Sequence, residues 1–573
     1  MRFHALATDY DGTMAHHGTV AAETYAALER LKASGRRLIM VTGRELEDLH
    51  TVCERVDLFD RVVAENGALI YDPATKAIRT LADPPPEVFT ADLRKHKLPS
   101  LSIGHVIVAT VEPHHTTVLD AIRRHGLELQ VIFNKGAVMV LPSGVNKATG
   151  LAATLTELGL SPHNTVAVGD AENDHALLDL CGVGVAVGNA LPAVKERADL
   201  VTSGRHGHGV IELIDRVLAD DLAEVAPPAV LLGDESEGGE AITIDPTRGV
   251  LICGTSGSGK STITTGLLER AAEAGYQFAV IDPEGDYGTL EIAVGLGSPE
   301  RAPLAEEVLD LLNDPSRNAV VNLLGVSVDD RPKYFAELLP RLLELRARTG
   351  RPHLLVIDEV HHLLPADVPT DDSLPEALRG VLSITVHPGS VAPVVLAGVD
   401  TVLAVGGQPA KTVAEFCEAV GEAKPKVTDV ERLPSGDAVV WRRGQKRSWV
   451  AHTEPPRTER VRHSRKYAEG NLGPDRSFYF RGEEGKLNLK AGNLVTFLQL
   501  ADGVDDETWE FHRRQADYSR WFRDCVKDDG LAEEVSAIEA ESADDPKATR
   551  AAVRAAVEAR YTLPADKPSG KID

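Results

Sequence analysis

Asp9-Tyr10-Asp11-Gly12-Thr13 is the stretch on which the fold of the first part of the chain turns. It follows an apolar run, residues 3–7, that reads as a buried parallel strand, so two carboxylates fall at that strand's C-terminal end. In open α/β sheets that edge is where ligands sit. Asp9 and Asp11, two residues apart, suit a division of labour, one facing a metal and substrate and the other moving a proton. Gly12 lets the backbone turn sharply and Thr13 can cap the next element. An Asp-rich turn after a strand is common by itself, and three later stretches complete this one.

Outward from that turn, strands alternate with helices. A helical pattern at 21–33 leads to a strand at 37–41 ending in Thr42-Gly43-Arg44. A Thr hydroxyl and a glycine-opened amide at a strand tip suit a phosphoryl oxygen. The strand at 62–64 ends in Glu65-Asn66-Gly67-Ala68, Lys147 opens a helix, and the strand at 165–168 delivers Gly169-Asp170-Ala171-Glu172-Asn173-Asp174. Short strands at 184–187 and 200–202 finish a doubly wound parallel α/β sheet. Between 84 and 141 lies an insert of helix 86–96, strand 105–111, helix 115–125 and strands 128–133 and 137–141, a small α/β cap. His105, His114, His115, Arg123, Arg124 and Lys135 make it polar and basic, suited to a second anion on a substrate or simply to solvent.

In this order the four stretches Asp9–Thr13, Thr42-Gly43-Arg44, Lys147 and Gly169–Asp174 resemble the haloacid dehalogenase (HAD) superfamily of phosphatases, in its Cof-type and sugar-phosphatase branch. The resemblance spans residues 1–222. It implies phosphate-ester hydrolysis through an aspartyl-phosphate, with Asp9 as nucleophile and Asp11 as general acid and then base. Thr42 and Lys147 would hold the phosphoryl group, and Asp9, Asp11, Asp170 and Asp174 would form the Mg²⁺ site. A carboxylate attacking a phosphate dianion needs its repulsion cancelled, which Mg²⁺ and a lysine accomplish. The cap would select a small phosphorylated metabolite, a sugar- or carboxylate-phosphate.

At 573 residues the chain is too long for one core, so three or four domains are expected. A net charge of −26 argues against a general nucleic-acid coat or membrane-surface protein. Five cysteines without paired spacing suggest neither disulfides nor zinc. With no signal peptide and no apolar run of membrane-spanning length, a cytoplasmic, membrane-free protein is expected.

A Pro- then Gly/acid-rich stretch at 223–247 reads as a linker and lead-in to a second domain, 248–455. There a strand at 249–253 runs into Gly254-Thr255-Ser256-Gly257-Ser258-Gly259-Lys260-Ser261-Thr262, a Walker A loop opening a helix. Gly254, Gly257 and Gly259 let backbone amides wrap ATP phosphates, Lys260 reaches the terminal ones, Ser261 ligates Mg²⁺, and Thr262 continues the loop into the helix. The strand at 354–357 ends in Asp358-Glu359, a Walker B pair in which Asp358 serves the Mg²⁺ and Glu359 orients water. The strand at 278–281 ends in Asp282-Pro283-Glu284-Gly285-Asp286-Tyr287, and a strand at 383–386 ends near His387, at a sensor position. This set resembles the additional-strand P-loop ATPases of HerA and FtsK type, which implies a RecA-like fold and, for most members, a ring motor on nucleic acid or in secretion. Arg331, Arg341, Arg346, Arg348 and Arg351 are the candidates for an arginine finger.

Residues 456–573 read as a small, mainly helical module with an acidic tail. Its basic start, Arg457 to Lys466, is first a solvated connector and second a nucleic-acid contact. Phe497, Trp509, Phe511, Tyr518, Trp521 and Phe522 are expected to form one aromatic core. The leading expectation is a phosphatase fused to an ATPase. The rivals are an ATP-driven motor with an accessory phosphatase, and a phosphatase gated by a nucleotide sensor.

Overall fold

A computed structural model describes residues 1–236, 238–255, 257–366, 380–427, 431–457, 477–526, 528–540 and 545–560. The chain divides into two units, Met1–Pro456 and Arg457–Asp573.

The first unit carries two large sheets and a small one. Strands β1 (Ala5–Asp9), β2 (Arg37–Val41), β3 (Arg61–Ala64), β4 (Leu69–Tyr71) and β5 (Ile78–Thr80) precede the cap strands β6 (Ser102–Ile103), β7 (Val108–Val111), β8 (Leu129–Asn134) and β9 (Ala137–Pro142). After the cap, β10 (Thr165–Gly169), β11 (Val183–Ala186) and β12 (Leu200–Val201) return to the first sheet, whose order is β12-β11-β10-β1-β2-β3-β4-β5. It is parallel from β12 to β3, whereas β4 and β5 run antiparallel, a departure from the all-parallel expectation. The central strands are apolar and wholly buried because helices cover both faces, which is why they read as unbroken hydrophobic runs. Since β1 lies between β10 and β2 in parallel register, Asp9, Thr42 and Asp170 emerge at one edge. The cap is an antiparallel sheet, β6-β7-β9-β8, and Phe89, Leu93, Val118 and Ile122 of the helices Glu87–Lys95 and His115–His125 join its core.

The second sheet is built from β13 (Val230–Glu235), β14 (Ala241–Ile244), β15 (Gly249–Cys253), β16 (Phe278–Asp282), β17 (Val294–Leu296), β18 (Ala319–Asn322), β19 (Leu354–Ile357), β20 (Val381–Thr385), β21 (Val399–Val405), β22 (Asp437–Arg442) and β23 (Trp449–Thr453). Its order is β14-β13-β23-β22-β21-β15-β20-β19-β16-β18-β17, so β20 stands between the Walker A strand β15 and the Walker B strand β19. The stretch expected as a linker, 223–247, instead supplies β13 and β14 to this sheet. Gly233, Asp234 and Glu235 end β13, and Gly238, Gly239 and Glu240 lead into β14, in an antiparallel hairpin whose apolar side chains, Val230, Leu232 and Ile244, are buried.

The two sheets meet at the N-terminal ends of their strands. His163 stacks on Tyr276 with ring centroids 4.0 Å apart, and its Nε2 donates to the Ala274 carbonyl at 2.6 Å. His353 Nδ1 accepts from the Gln277 amide at 2.8 Å, so Nε2 carries the proton and donates to Asn164 Oδ1 at 3.0 Å. Burial, and then the nearby His163 and Arg351, hold His353 far below the ordinary imidazole value, so it stays neutral. Unfolded, the same imidazole binds a proton below about pH 6.5. Its contribution is therefore present above that pH and lost as pH falls, at about 1.4 kcal/mol per pH unit. Urea unfolding between pH 7 and 5 is expected to fall less steeply by that amount in His353→Asn than in wild type; equal slopes would remove His353 from the account.

The second unit, taken by itself, pairs β24 (Phe478–Phe480) with β25 (Leu489–Ala491) and packs helices Leu494–Gly503, Asp506–Arg514, Asp529–Ala540 and Pro546–Arg560 around Phe497, Trp509, Tyr518, Trp521 and Phe522. Phe511, expected in that core, is only half-buried, because its helix turns Trp509 and His512 inward. The basic stretch from 458 to 466 lies outside the described residues. Among the described residues no helix is long and apolar enough to cross a membrane.

Candidate functional site

Asp9 ends β1, Asp170 follows β10, and Asp174 sits in the 3-10 turn Glu172–Asp174. One carboxylate oxygen from each lies within 4.8 Å of the others. Lys147, at the first turn of helix Lys147–Glu157, places Nζ 2.6 Å from both Asp9 Oδ1 and Asp174 Oδ1. That helix starts where it does because Asn146 caps it, its side chain accepting from the Thr149 amide. Asp174 Oδ2 accepts from the backbone amides of Asp170 and Ala171, both at 2.9 Å, which fixes the loop that carries Asp170.

All of this is dry: Lys147 and Asp174 are 1% and 0% exposed. Burial pulls the Lys147 ammonium down, but Asp174 and Asp9 outweigh it and leave it raised. Burial pushes the Asp9 carboxyl up to about 7, Lys147 opposing and Asp174 adding. A surplus of buried carboxylate is what a hard divalent cation relieves, so the donor set fits Mg²⁺ held by Asp9 and Asp170 with Asp174 behind them.

Asp11 is not brought into this set. Arg44 takes its carboxylate in a fork, Nε to Oδ2 at 2.6 Å and Nη2 to Oδ1 at 2.8 Å, which turns it away from the metal position expected for it. Thr42 is fully buried and its Oγ1 accepts from the Arg44 amide at 3.2 Å, which ties the Thr42-Gly43-Arg44 turn into one piece.

Two further residues enter from outside the four sequence stretches. Lys135, at the tip of the β8–β9 hairpin of the cap, reaches Asp170 at 2.8 and 3.0 Å and the Asp11 carbonyl at 3.0 Å. Glu65, fully buried beside Thr42, accepts three backbone amides of the cap, from His105 at 2.9 Å, Val106 at 2.7 Å and Ile107 at 2.9 Å. Glu65 was legible only as part of a polar turn; its function of fastening the cap to the core was not.

In the second sheet the Walker A loop joins β15 to helix Lys260–Glu273. Gly257 and Gly259 have φ of 77° and 99°, which a side chain would strain. Lys260 is buried and Nζ donates to the Gly254 and Thr255 carbonyls at 2.9 and 3.3 Å, inside the loop it would share with a phosphate chain. Ser256 and its contacts lie outside the described residues. Asp358 is pushed well up, by burial first and then by Asp282, Glu359 and Asp286. A carboxylate crowded by three acids, with the Lys260 ammonium opposing, fits a cation and its phosphates. Ser261 Oγ donates to Asp286 Oδ2 at 3.2 Å, an acid the sequence placed only in a strand-end motif. Asp282, by contrast, accepts from the Asp286 and Tyr287 amides at 2.9 and 2.8 Å and shapes that turn. Glu359 stands in a left-handed conformation, φ 43°, with His361 Nδ1 at 3.4 Å; burial holds that imidazole at about 4. His387 lies just past β20, where Thr385 Oγ1 and His361 Nδ1 are 3.1 Å apart. Of the arginine-finger candidates, Arg351 is fully buried, Arg346 donates to the Pro352 carbonyl at 2.9 Å and Arg341 pairs with Glu306 at 2.7 Å.

A family model described as haloacid dehalogenase-like hydrolase matches residues 6–89 and 90–214. A phosphoglycolate phosphatase of Methanothermobacter thermautotrophicus is 31% identical over 223 residues, 37% of this chain and 98% of its own. The chain belongs to the haloacid dehalogenase-like hydrolases. Another relative of this hydrolase, a phosphoglycolate phosphatase of Natronomonas pharaonis, is 30% identical over 223 residues, 37% of this chain and 96% of its own. A solved haloacid dehalogenase-like hydrolase from Bacteroides thetaiotaomicron aligns with 38% of this chain and 99% of its own at 22% identity, with a TM-score of 0.34. The matched part of the hydrolase is a phosphatase domain of haloacid dehalogenase type. A second family model, described as an AAA domain, matches residues 244–405, in keeping with an ATPase.

Proposed function

We propose that residues 1–222 hydrolyse a small carboxylate- or sugar-phosphate and that residues 248–455 bind and hydrolyse ATP. What supports the first part is one ammonium, Lys147, held 2.6 Å from both Asp9 and Asp174 at the edge where Asp170 also emerges. Bound Mg²⁺ would offset the negative charge of nucleophile and phosphate. In this reading Asp9 attacks phosphorus, forming an aspartyl-phosphate while the P–O bond to the leaving group breaks. Asp11, released from Arg44, gives its proton to the departing alkoxide, then takes one from the water that cleaves the acyl-phosphate. Thr42 and Lys147 hold the phosphoryl oxygens. The named relatives are phosphoglycolate phosphatases, so 2-phosphoglycolate heads the panel of esters to try. Phosphate release from that panel, with Mg²⁺ and with EDTA, tests the reading; a purified protein that releases phosphate from none of them defeats it.

For residues 248–455, β20 standing between β15 and β19 supports the additional-strand P-loop class, and HerA/FtsK kinship is the finer proposal. Lys260→Ala is expected to lower ATP hydrolysis at least about 100-fold, since the cation that meets the phosphates is gone. DNA-stimulated ATPase activity and ring assembly with ATP would favour a motor. A second reading, nucleotide gating of the phosphatase, is favoured by the packed seam at His163, Tyr276 and His353. It requires phosphate-ester turnover to change with ATP and to stop changing in Lys260→Ala.

A further inference from the structure

The turn Glu65-Asn66-Gly67 touches three separate pieces of the phosphoryl site at once. The Asn66 amide donates to the Thr42 carbonyl at 3.0 Å and the Glu65 amide to the Arg44 carbonyl at 2.8 Å, which clasps the Thr42-Gly43-Arg44 turn. Asn66 Oδ1 accepts from Nδ2 of Asn173, the neighbour of Asp174, at 2.9 Å. Gly67 lies so close to the start of the Lys147 helix that a Cβ would fall 1.9 Å from the Asn146 carbonyl oxygen and 2.9 Å from the Lys147 nitrogen. All three residues of the turn are buried.

That turn stands in an unfavourable backbone. Glu65, Asn66 and Gly67 take consecutive φ of 51°, 54° and 104°. Glycine accepts such a conformation and asparagine tolerates it, whereas a glutamate there persists only where its surroundings hold it. Part of that hold comes from the cap, where Oε1 accepts from the His105 amide and Oε2 from those of Val106 and Ile107. Bonds to a carboxylate in a dry site are strong ones. Gly104 closes the socket, since a Cβ there would stand 2.7 Å from Glu65 Oε1. One buried side chain thus ties the cap to the turn on which Thr42, Asn173 and the Lys147 helix all lean.

We propose that Glu65 is a positioning residue of the phosphoryl site: the seated cap, acting through this carboxylate, keeps the 65–67 turn where Thr42 and Lys147 need it to hold a phosphoryl group. This role rests on the phosphatase reading above. It gives the cap a second task beside choosing the leaving group, because the contacts that pass through Glu65 end on residues assigned to the phosphate and not to the rest of the ester. Released from the three cap amides, the turn is free to leave its left-handed conformation. The Thr42 turn, Asn173 and the start of the Lys147 helix then lose their common neighbour. A displacement of about 1 Å at such groups costs on the order of 100-fold in rate.

Inorganic phosphate is the probe, because it occupies the phosphoryl site without a leaving group. Its inhibition constant is measured against Mg²⁺-dependent turnover of p-nitrophenyl phosphate by the full chain as wild type, Glu65→Ala, Gly104→Ala and the double variant. Gly104 lies outside the left-handed region, so alanine there crowds the carboxylate from the cap side without straining its own backbone. Each single variant is expected to raise the constant about 10–100-fold and to lower kcat/KM by one common factor for esters of small and bulky alcohols alike. In Glu65→Ala the added methyl has no carboxylate to strike, so the double variant should match Glu65→Ala. Glu65→Gln, which keeps one accepting oxygen, should fall between wild type and Glu65→Ala. An unchanged inhibition constant, which is what a merely structural loss of active protein would leave, overturns the proposal. A shift confined to the ranking of esters, or additive effects in the double variant, does the same. Wild type that turns over no ester sinks the phosphatase reading and this role with it, whereas wild-type turnover with phosphate inhibition indifferent to both substitutions sinks only the role of Glu65.

Discussion

Asp9→Asn is expected to lower phosphate release from every small ester about 10⁴-fold or more while leaving the protein folded. The substitution keeps shape and volume, and an amide oxygen can still accept from Lys147, which sits 2.6 Å away. It removes the anionic oxygen that forms the bond to phosphorus. Burial already disfavours the charged form of Asp9, pushing it up to about 7, so a neutral amide adds no desolvation cost in the metal-free protein. Unfolding midpoints measured without metal should therefore be equal or higher in the variant. Asp11→Asn makes an informative companion, because loss of a proton donor matters least for a leaving group that departs as a weak base. Its defect should shrink from alkyl esters to p-nitrophenyl phosphate, whereas the Asp9→Asn defect should not. If Asp9→Asn retains more than about one per cent of wild-type turnover, Asp9 is not the nucleophile.

The edge that carries these residues was legible because parallel strands buried on both faces are short apolar runs with polar punctuation. Arg37–Val41, Gly249–Cys253 and Leu354–Ile357 fall at the expected bounds, and the chemistry-bearing residues follow their strands directly in sequence. Packing between distant segments decided the rest, which is why the sequence could not supply it. Lys135 reads as one of many basic residues in the cap, and only the descent of the hairpin onto Gly12 gives it a carboxylate partner. Asp286 reads as part of a strand-end motif, and only the fold of that turn brings it to Ser261. The spacing of Asp9 and Asp11 suits one acid at a metal and one moving a proton, and the resemblance adds Asp11 to the metal site; Arg44, 33 residues on, decides where its carboxylate points. The hairpin of β13 and β14 was hidden by a turn so rich in glycine and acid that it resembled a linker.

Arg351, one of the arginine-finger candidates, is expected to matter for stability instead: Arg351→Ala should cost about 3–5 kcal/mol. Its side chain is fully buried, and the guanidinium is spent on carbonyl oxygens. Nη1 donates to Gln277 Oε1 at 2.7 Å and to the Leu312 carbonyl at 2.9 Å, while Nη2 donates to the Asn313 carbonyl at 3.2 Å and to that of Gly159. Burial draws it down to about 10, which still leaves it charged at neutral pH. Alanine removes the shared donor, leaves these acceptors unmet in a dry seam and opens a cavity where a large side chain had been. Lysine should restore little, because a single ammonium cannot span acceptors arranged for a planar fork. Gly159 belongs to the part of the chain matched as a hydrolase and the other three partners to the part matched as an AAA domain, so the loss falls on the seam between them. Guanidinium denaturation of wild type, Arg351→Ala and Arg351→Lys measures the cost. A loss below about 1 kcal/mol would mean that water reaches the seam and replaces the arginine. A large loss accompanied by two separated transitions would mean that the two sheets stay cooperative only while this one cation reads carbonyls from both.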